Sequence, residues 1–377
     1  MRDMLAHADL GRHAGQFVWL ELNFDKAENR QFLDKYGAVG TPTFYVIDAR
    51  TGQVAATQQG AMSYTELVAF LSRGASVVLA KGRLPADAAL TQGDALLAQK
   101  PDEAVTAYRE ALRLAPAGWG RHDLAEASLV SALQSSGKFQ QCARRSATEA
   151  SRMKRGPIFA RTVVSGMWCL VSGDSASWIK EIAPKLQPLA EEALALRSTV
   201  RDHRDEIYRT FMMLALLRDD KTTAAKWGNR WLAELDAIKP ASDEERLALD
   251  IARVENIDVF GDPKRILPAL LDSERALPDN WNASLRVAQM ESQAKDYEAS
   301  IAACDRGLAR TPGPLGRSWL LQTKADALNG KGQAAEARRA LDEALQAAQG
   351  IPLERTRENN VKRISNALES ISTKKPK

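Results

Sequence analysis

Cysteine is scarce in this 377-residue chain: three residues, Cys142, Cys169 and Cys304, with none before position 142. They form no CxxC and no metal-ligand spacing. The set is too thin and uneven for a disulfide framework. They read as small, half-buried packing residues. The four histidines are His7, His13, His122 and His203. His7 and His13 lack the i, i+4 spacing that puts two ligands on one helix face, so surface histidines are expected and no metal. Long apolar runs are also missing. The densest, FMMLALL at residues 211–217, is far too short to span a bilayer. The first residues, MRDMLAHADLGRHAG, carry acidic groups and no apolar segment of the signal-peptide kind. As written, the chain is expected to be soluble and cytoplasmic, without membrane contact. Neither sign of charge dominates, with Lys+Arg 52 against Asp+Glu 48. That argues against nucleic acid as a partner, which would call for a strongly basic face. There is no GxxxxGK[ST], no GxGxxG after a strand and no GxSxG, so no cofactor is expected.

What is present falls into two organisations. The length is too great for one typical core. Up to about residue 74, strand and helix signals alternate. Residues 17–25, FVWLELNFD, alternate and are rich in strand formers, which predicts a strand. Residues 26–36 predict a helix, with Phe32, Leu33 and Tyr36 as its apolar stripe. Gly37 stops it as a C′ glycine would. Residues 43–48 and 53–57 predict two more strands around a Thr51-Gly52 turn. Gly60 breaks the second. Ser63 and Glu66 have capping-box spacing ahead of a helix whose buried face is Leu67, Phe70 and Leu71.

After residue 74 the strand signal disappears. Helical periodicity broken at Pro or Gly calls for a search for repeats. Ala104, Tyr108, Ala111 and Pro116 follow a 4, 3, 5 spacing. Ser300, Cys304, Gly307 and Pro312 repeat it, and Ala337, Leu341 and Ala344 repeat its first two steps. Small residues at the first and third positions let a neighbouring helix approach, and the middle one fills the groove. This pattern resembles the tetratricopeptide repeat, two antiparallel helices per unit. The resemblance is good around residues 93–116 and fair at 281–346. A weaker unit runs over 124–150, with GKFQQC at its turn. Between 161 and 260 the signature fades, and Trp231 falls where a small residue is wanted. The helix opened by Pro352, with Val361, Ile364, Leu368 and Ile371 on one side, reads as a cap on the last repeat.

The first 74 residues carry a second resemblance. Asn23-Phe24-Asp25, the segment Tyr36-Gly37-Ala38-Val39, and Gly40-Thr41-Pro42-Thr43-Phe44 look like the strand end, "helix, then Y-G-V" and G-T-P-T-F of thioredoxin. The match covers roughly residues 17–73. The resemblance implies a cis peptide before Pro42, with Thr41 and Pro42 contacting a substrate peptide. It also implies a CxxC at a helix N-terminus, where the dipole makes a thiolate. This sequence has no such motif, and the strand that precedes it in the family is missing too. A sheet without its middle strand leaves buried amides unpaired, at about 1–3 kcal/mol each. The expectation is that the motif lies upstream of an incorrectly assigned start; the alternatives are that the chain is a fragment, or that the remnant closes the gap by direct pairing, or packs on the repeats, as a non-catalytic domain. A missing upstream signal would then allow a periplasmic or secreted location.

The predicted architecture is an incomplete thioredoxin-like α/β domain (1–74), a linker (75–85), an all-α solenoid of tetratricopeptide-like hairpins (86–350), and a capping helix with a basic tail (351–377). The predicted function is a protein–protein interaction scaffold with a redox-inactive thioredoxin-like domain. The alternative is a thiol–disulfide oxidoreductase whose repeats recruit clients. A protein or peptide is the expected partner of the repeats. A basic run, Arg144, Arg145, Arg152, Lys154, Arg155 and Arg161 against Glu149, is a candidate patch for an acidic partner.

Overall fold

Helix-forming sequence dominates after residue 84, and the computed structural model of the protein is built on it. The structure describes residues 8–13, 15–23, 27–37, 42–79, 84–173, 176–352 and 354–373. Among them are seventeen α-helices and one two-stranded sheet.

The amino-terminal part is a ββα unit with a short helix before it. α1 (Arg30–Tyr36) follows a 3-10 turn at Ala27–Asn29. Gly37 then adopts φ 75° and donates its N–H to Leu33 O at 2.7 Å. That backbone conformation penalises any residue with a Cβ, which is why the helix ends on glycine. β1 (Thr43–Ile47) pairs antiparallel with β2 (Val54–Gln59). α2 (Tyr64–Val78) starts on a full capping box, with Ser63 N–H donating to Glu66 Oε2 at 2.9 Å and Glu66 N–H to Ser63 Oγ at 3.3 Å. Leu67, Phe70, Leu71 and Val77 of α2 join Val46, Ala55 and Ala56 in one buried cluster. A Cβ on Gly74 would lie 2.5 Å from the Val46 side chain, so glycine is what lets α2 lie so close to β1. The helix runs through Gly74 to Val78, past the expected linker start at residue 75.

Residues 17–25 do not form the expected strand. Residues 17–23 are irregular, and 24–25 lie outside the described residues. A strand needs a neighbour to take its amides, and the described sheet holds only β1 and β2. Without one, β-forming composition leaves Val18 and Leu20 exposed at 88% and 74%. No complete thioredoxin fold is present among the described residues. The Thr41–Pro42 peptide bond, on which the cis expectation falls, lies outside them because Thr41 does.

From Leu84 onward every described element is a helix. α3 (Pro85–Leu96) pairs with α4 (Pro101–Leu114), α5 (His122–Ser135) with α6 (Phe139–Ala150), and α7 (Pro157–Ser172) with α8 (Ala176–Ala195); α9 (Arg201–Leu216) follows. Several of these open on proline, which fits the first turn because its missing N–H has no partner there anyway. First helices touch first helices, α5 on α7 and α7 on α9, while α6 touches α8. The chain divides by contact into two units at Asp220–Lys221, inside the span expected to be one array. The first unit contains the ββα segment and α3–α9.

The second unit holds residues 22–30 and 221–377. Its helices are α10 (Lys221–Asp236), α11 (Asp243–Val259), α12 (Leu267–Ala276), α13 (Trp281–Gln293), α14 (Tyr297–Ala309), α15 (Pro314–Gly330), α16 (Ala334–Gln349) and α17 (Glu354–Thr373). The same row of first helices recurs, α11 on α13 and α13 on α15. The repeat positions found by spacing are buried: Ala104, Tyr108 and Ala111 in the first unit, Ser300, Cys304, Ala337, Leu341 and Ala344 in the second, each at most 1% exposed. Trp231 is fully buried too. α17 lays Val361, Ile364, Leu368 and Ile371 against the α15–α16 core.

Candidate functional site

In a helical-hairpin array the first helices form one continuous surface. In the first unit that surface carries charges at positions that would otherwise be apolar. Asp94 on α3 and Arg161 on α7 are 2% and 7% exposed. β2 packs on α3 and, with Arg73 of α2, covers Asp94, while Glu66 of α2 faces Arg161. Glu66 and Arg73 sit seven residues apart on α2, two turns, and so share a face. Arg73 Nη1 meets Asp94 Oδ2 at 3.1 Å, and Glu66 Oε1 lies 3.9 Å from Arg161 Nη1. At the far end of α2, Arg121, just before α5, donates to Ser76 Oγ at 3.4 Å and pairs with Asp87 of α3 at 3.1 Å. The contacts of α2 therefore reach α3, the start of α5, and α7.

Asp94 joins three elements. Tyr108 of α4 donates its hydroxyl to Asp94 Oδ1 at 2.8 Å. Thr57 of β2 donates its hydroxyl to the Asp94 carbonyl at 2.7 Å and its N–H to Oδ2 at 3.4 Å. Burial pushes the Asp94 carboxyl up, while Arg73 and Tyr108 pull the other way. His203 on α9 is buried, and that burial, with the Arg161 charge adding, pushes its pKa down to about 4. It is therefore a neutral core residue at pH 7, not the surface histidine the sequence suggested. The expectation failed because its polar neighbours in RDHRDE disguised an inward position. His122 does lie at the surface, beside Asp123 at 3.7 Å.

The seat is incomplete in hydrogen-bond terms. Glu66 Oε1 and Arg73 Nε are buried and make no hydrogen bond. A buried polar atom left this way costs about 1–3 kcal/mol.

The residues singled out from sequence are dispersed. Pro42 begins the hairpin and accepts the Gly60 N–H at 2.9 Å through its carbonyl. The basic run lies on α6 and the turn after it. Arg144 pairs with Glu181 at 2.7 Å, Arg145 with Glu126 at 2.6 Å, Arg152 with Glu149 at 3.8 Å, and Arg155 with Glu192 at 2.6 Å. Arg161 does not join them; it points to Glu66 instead. Sequence reading missed Glu66, Arg73, Asp94 and His203 as a cluster. Each sits alone on an amphipathic helix, and only long-range packing brings them together.

The cysteine expectation also needs correction. Cys142 and Cys169 are joined as a disulfide, linking α6 to α7, and both are fully buried. Cys142 stands four residues after Lys138, the place filled by Ala104 four residues after Lys100. Here the small residue facing the next hairpin is a cysteine, and its neighbour across the interface is another. Cys304 is a free buried thiol pushed up to about 12, chiefly by burial, and so is not a nucleophile.

The second unit has a cleft of about 350 Å³ between α10 and the end of α11. Leu232, Ile257 and Phe260 line it, with Asn229, Asp262 and Arg265 among its polar groups. Among the described residues no group of three or more His, Cys, Asp or Glu is arranged to hold a metal ion. No described helix is long and apolar enough to cross a membrane.

No family model and no curated protein matches the sequence. Solved structures do. The TPR2AB domain of yeast Sti1, in a complex with pHSP90, is 15% identical over 76% of this chain and 98% of that chain, with a TM-score of 0.30. Yeast Tom70 is 13% identical over 78% of this chain, TM-score 0.41, and Cut9 of the APC/C Cut9–Hcn1 hetero-tetramer assembly is 11% identical over 78%, TM-score 0.30. The chain spans 58% and 59% of the length of the last two. At these scores the repeat assignment rests on this chain's own helix pairing and on the residues buried within it.

Proposed function

We propose that this chain is a protein–protein interaction scaffold of tetratricopeptide-like hairpins, with a protein or peptide as the partner. The observation that carries this is the row of contacting first helices in each unit, a continuous surface of side chains of the kind that accommodates an extended chain or a helix. In the second unit that row presents Arg286 and Gln289 from α13 and Trp319 from α15, all half-buried. Selection of peptides from a random library on the full chain tests the reading. Selected peptides should slow hydrogen exchange in α13 and α15. Failure to select any peptide, or protection confined to second helices, overturns it.

A thioredoxin-like origin of the ββα unit belongs to the same proposal. The order α1–β1–β2–α2 and the antiparallel hairpin support it. On that reading Thr41 and Pro42 contact the partner peptide, and an oxidoreductase activity would need a CxxC that this sequence lacks. Insulin reduction by this chain should show no turnover. A contact between an acidic partner and Arg144, Arg145, Arg152, Lys154 or Arg155 is proposed only as a salt-sensitive auxiliary, since four of the five already hold carboxylates. The buried disulfide favours an oxidising compartment over the cytoplasm.

A further inference from the structure

We infer that the outer edge of β1 takes residues 18–21 of a second copy of this chain as an added strand, in a reciprocal exchange that makes a two-fold dimer. The inference goes beyond the scaffold reading and does not depend on it.

The open edge follows from the ladder. Only alternate residues of an antiparallel pair exchange hydrogen bonds. The Gly60 N–H donates to the Pro42 carbonyl at 2.9 Å, so that pair is a bonded one. By the register, Phe44–Gln58 and Val46–Ala56 belong to the same set. Tyr45 and Thr57 therefore turn their N–H and C=O away from the ladder. On the β2 side the Thr57 N–H is taken by Asp94 Oδ2 at 3.4 Å. On the β1 side Ile47 is turned outward like Tyr45, and the backbone groups of both hydrogen-bond to no described residue. Such an edge is a template for another strand.

The strand that fits it is in the chain. Residues 18–21, Val-Trp-Leu-Glu, are rich in strand formers, and they too hydrogen-bond to no described residue. Their side chains alternate. Trp19 turns back toward Phe17, with ring centroids 6.1 Å apart, while Val18 and Leu20 stand in solvent. A strand beside β1 lies between two helices, because Val46 faces the α2 cluster and Tyr45 faces the rings of Phe32 and Tyr36 on α1. Apolar residues on both faces suit that place. The chain's own segment is held off the edge, because Phe17 packs against the cluster between α2 and the sheet. Pairing within one chain would pull Phe17 out of that cluster. Pairing between copies leaves each Phe17 in place, and the reciprocal exchange closes.

The test uses the full chain. Sedimentation velocity should show a monomer–dimer equilibrium. Hydrogen exchange at Tyr45, Ile47 and residues 18–21 should slow as concentration rises. Val18→Asp with Leu20→Asp changes two exposed side chains, so the monomer stays folded. It should raise the dimer dissociation constant by about tenfold or more and return those amides to fast exchange. Leu20→Pro adds no charge but removes an N–H and breaks strand geometry, and it should weaken the dimer as well. A dimer that survives Leu20→Pro is an apolar contact without strand pairing, and one that survives the aspartates does not use this segment; either overturns the inference. So does a chain that stays monomeric at up to about 1 mM. Protection of the same amides that does not change with concentration would assign the edge to the chain's own segment and overturn it too.

Discussion

Two glutamates, one in each unit, face arginines and are treated differently by the fold: Glu274 is buried and Glu66 half-buried. In the second unit Glu274 on α12 accepts from Arg306 at 3.0 and 2.8 Å and from the Ser284 hydroxyl at 2.5 Å, with Arg310 at 3.9 Å. Burial acts to raise its carboxyl, but the hydrogen bonds from Arg306 and Ser284 and the arginine charges outweigh it and hold the group below the ordinary glutamate value. All its partners lie on the next hairpin. In the first unit Glu66 spends one oxygen on the cap of its own helix and leaves the other facing Arg161 without a hydrogen bond. Incomplete satisfaction is not peculiar to the α2 contact: Asp250 Oδ2 on α11 and Arg286 Nε on α13, inside the second unit's array, are also buried without a hydrogen bond. The contrast is between these two glutamates and their own surroundings.

The comparison can be broken in four ways. The largest effect is reduction of Cys142–Cys169. It should cost the first unit roughly 3–4 kcal/mol, the loop-entropy value for a 27-residue separation. Urea unfolding followed by hydrogen exchange should show α10–α17 unchanged. The next is acid. His203 has a folded pKa of about 4, below the ordinary 6.5, so the unfolded chain takes up the proton first. Its contribution is complete above about pH 6.5, is lost as pH falls towards 4, and changes no further below that. The gap corresponds to about 3 kcal/mol. Residues 221–377 contain no histidine, so thermal melts between pH 7 and 4.5 should lower the first unit more than the second. Third, Glu274→Ala should destabilise the second unit by about 2 kcal/mol, less than a fully buried pair because Arg306 is half-exposed. Denaturant midpoints would read this. Last, Glu66→Ala should cost about 1 kcal/mol, mostly the lost cap. A loss equal to that of Glu274→Ala would erase the distinction.

Local rules in the sequence were reliable guides to local structure. The Ser63–Glu66 box, the Gly37 stop and the small–large–small spacing at Ala104, Tyr108 and Ala111 each depend on residues within one or two turns. Each is present as expected. What was not legible depended on partners far along the chain. FVWLELNFD has strand composition and no neighbouring strand. Asp94 and Arg161 are covered by β2 and α2, which lie 21 or more residues away along the chain. The basic run looked like a free patch because Glu126, Glu181 and Glu192, which neutralise it, come from other helices. The division at Asp220–Lys221 has no composition shift to announce it.

The bond between Cys142 and Cys169 also alters how the array can come apart. Stacked hairpins ordinarily melt one neighbour at a time, inward from either end, because each holds only the next. A covalent tie between the second helix of one hairpin and the first helix of the following one removes that seam. Residues 142–169 must then unzip as a block, and fraying that starts at α9 or at α3 meets a stop in the middle of the unit.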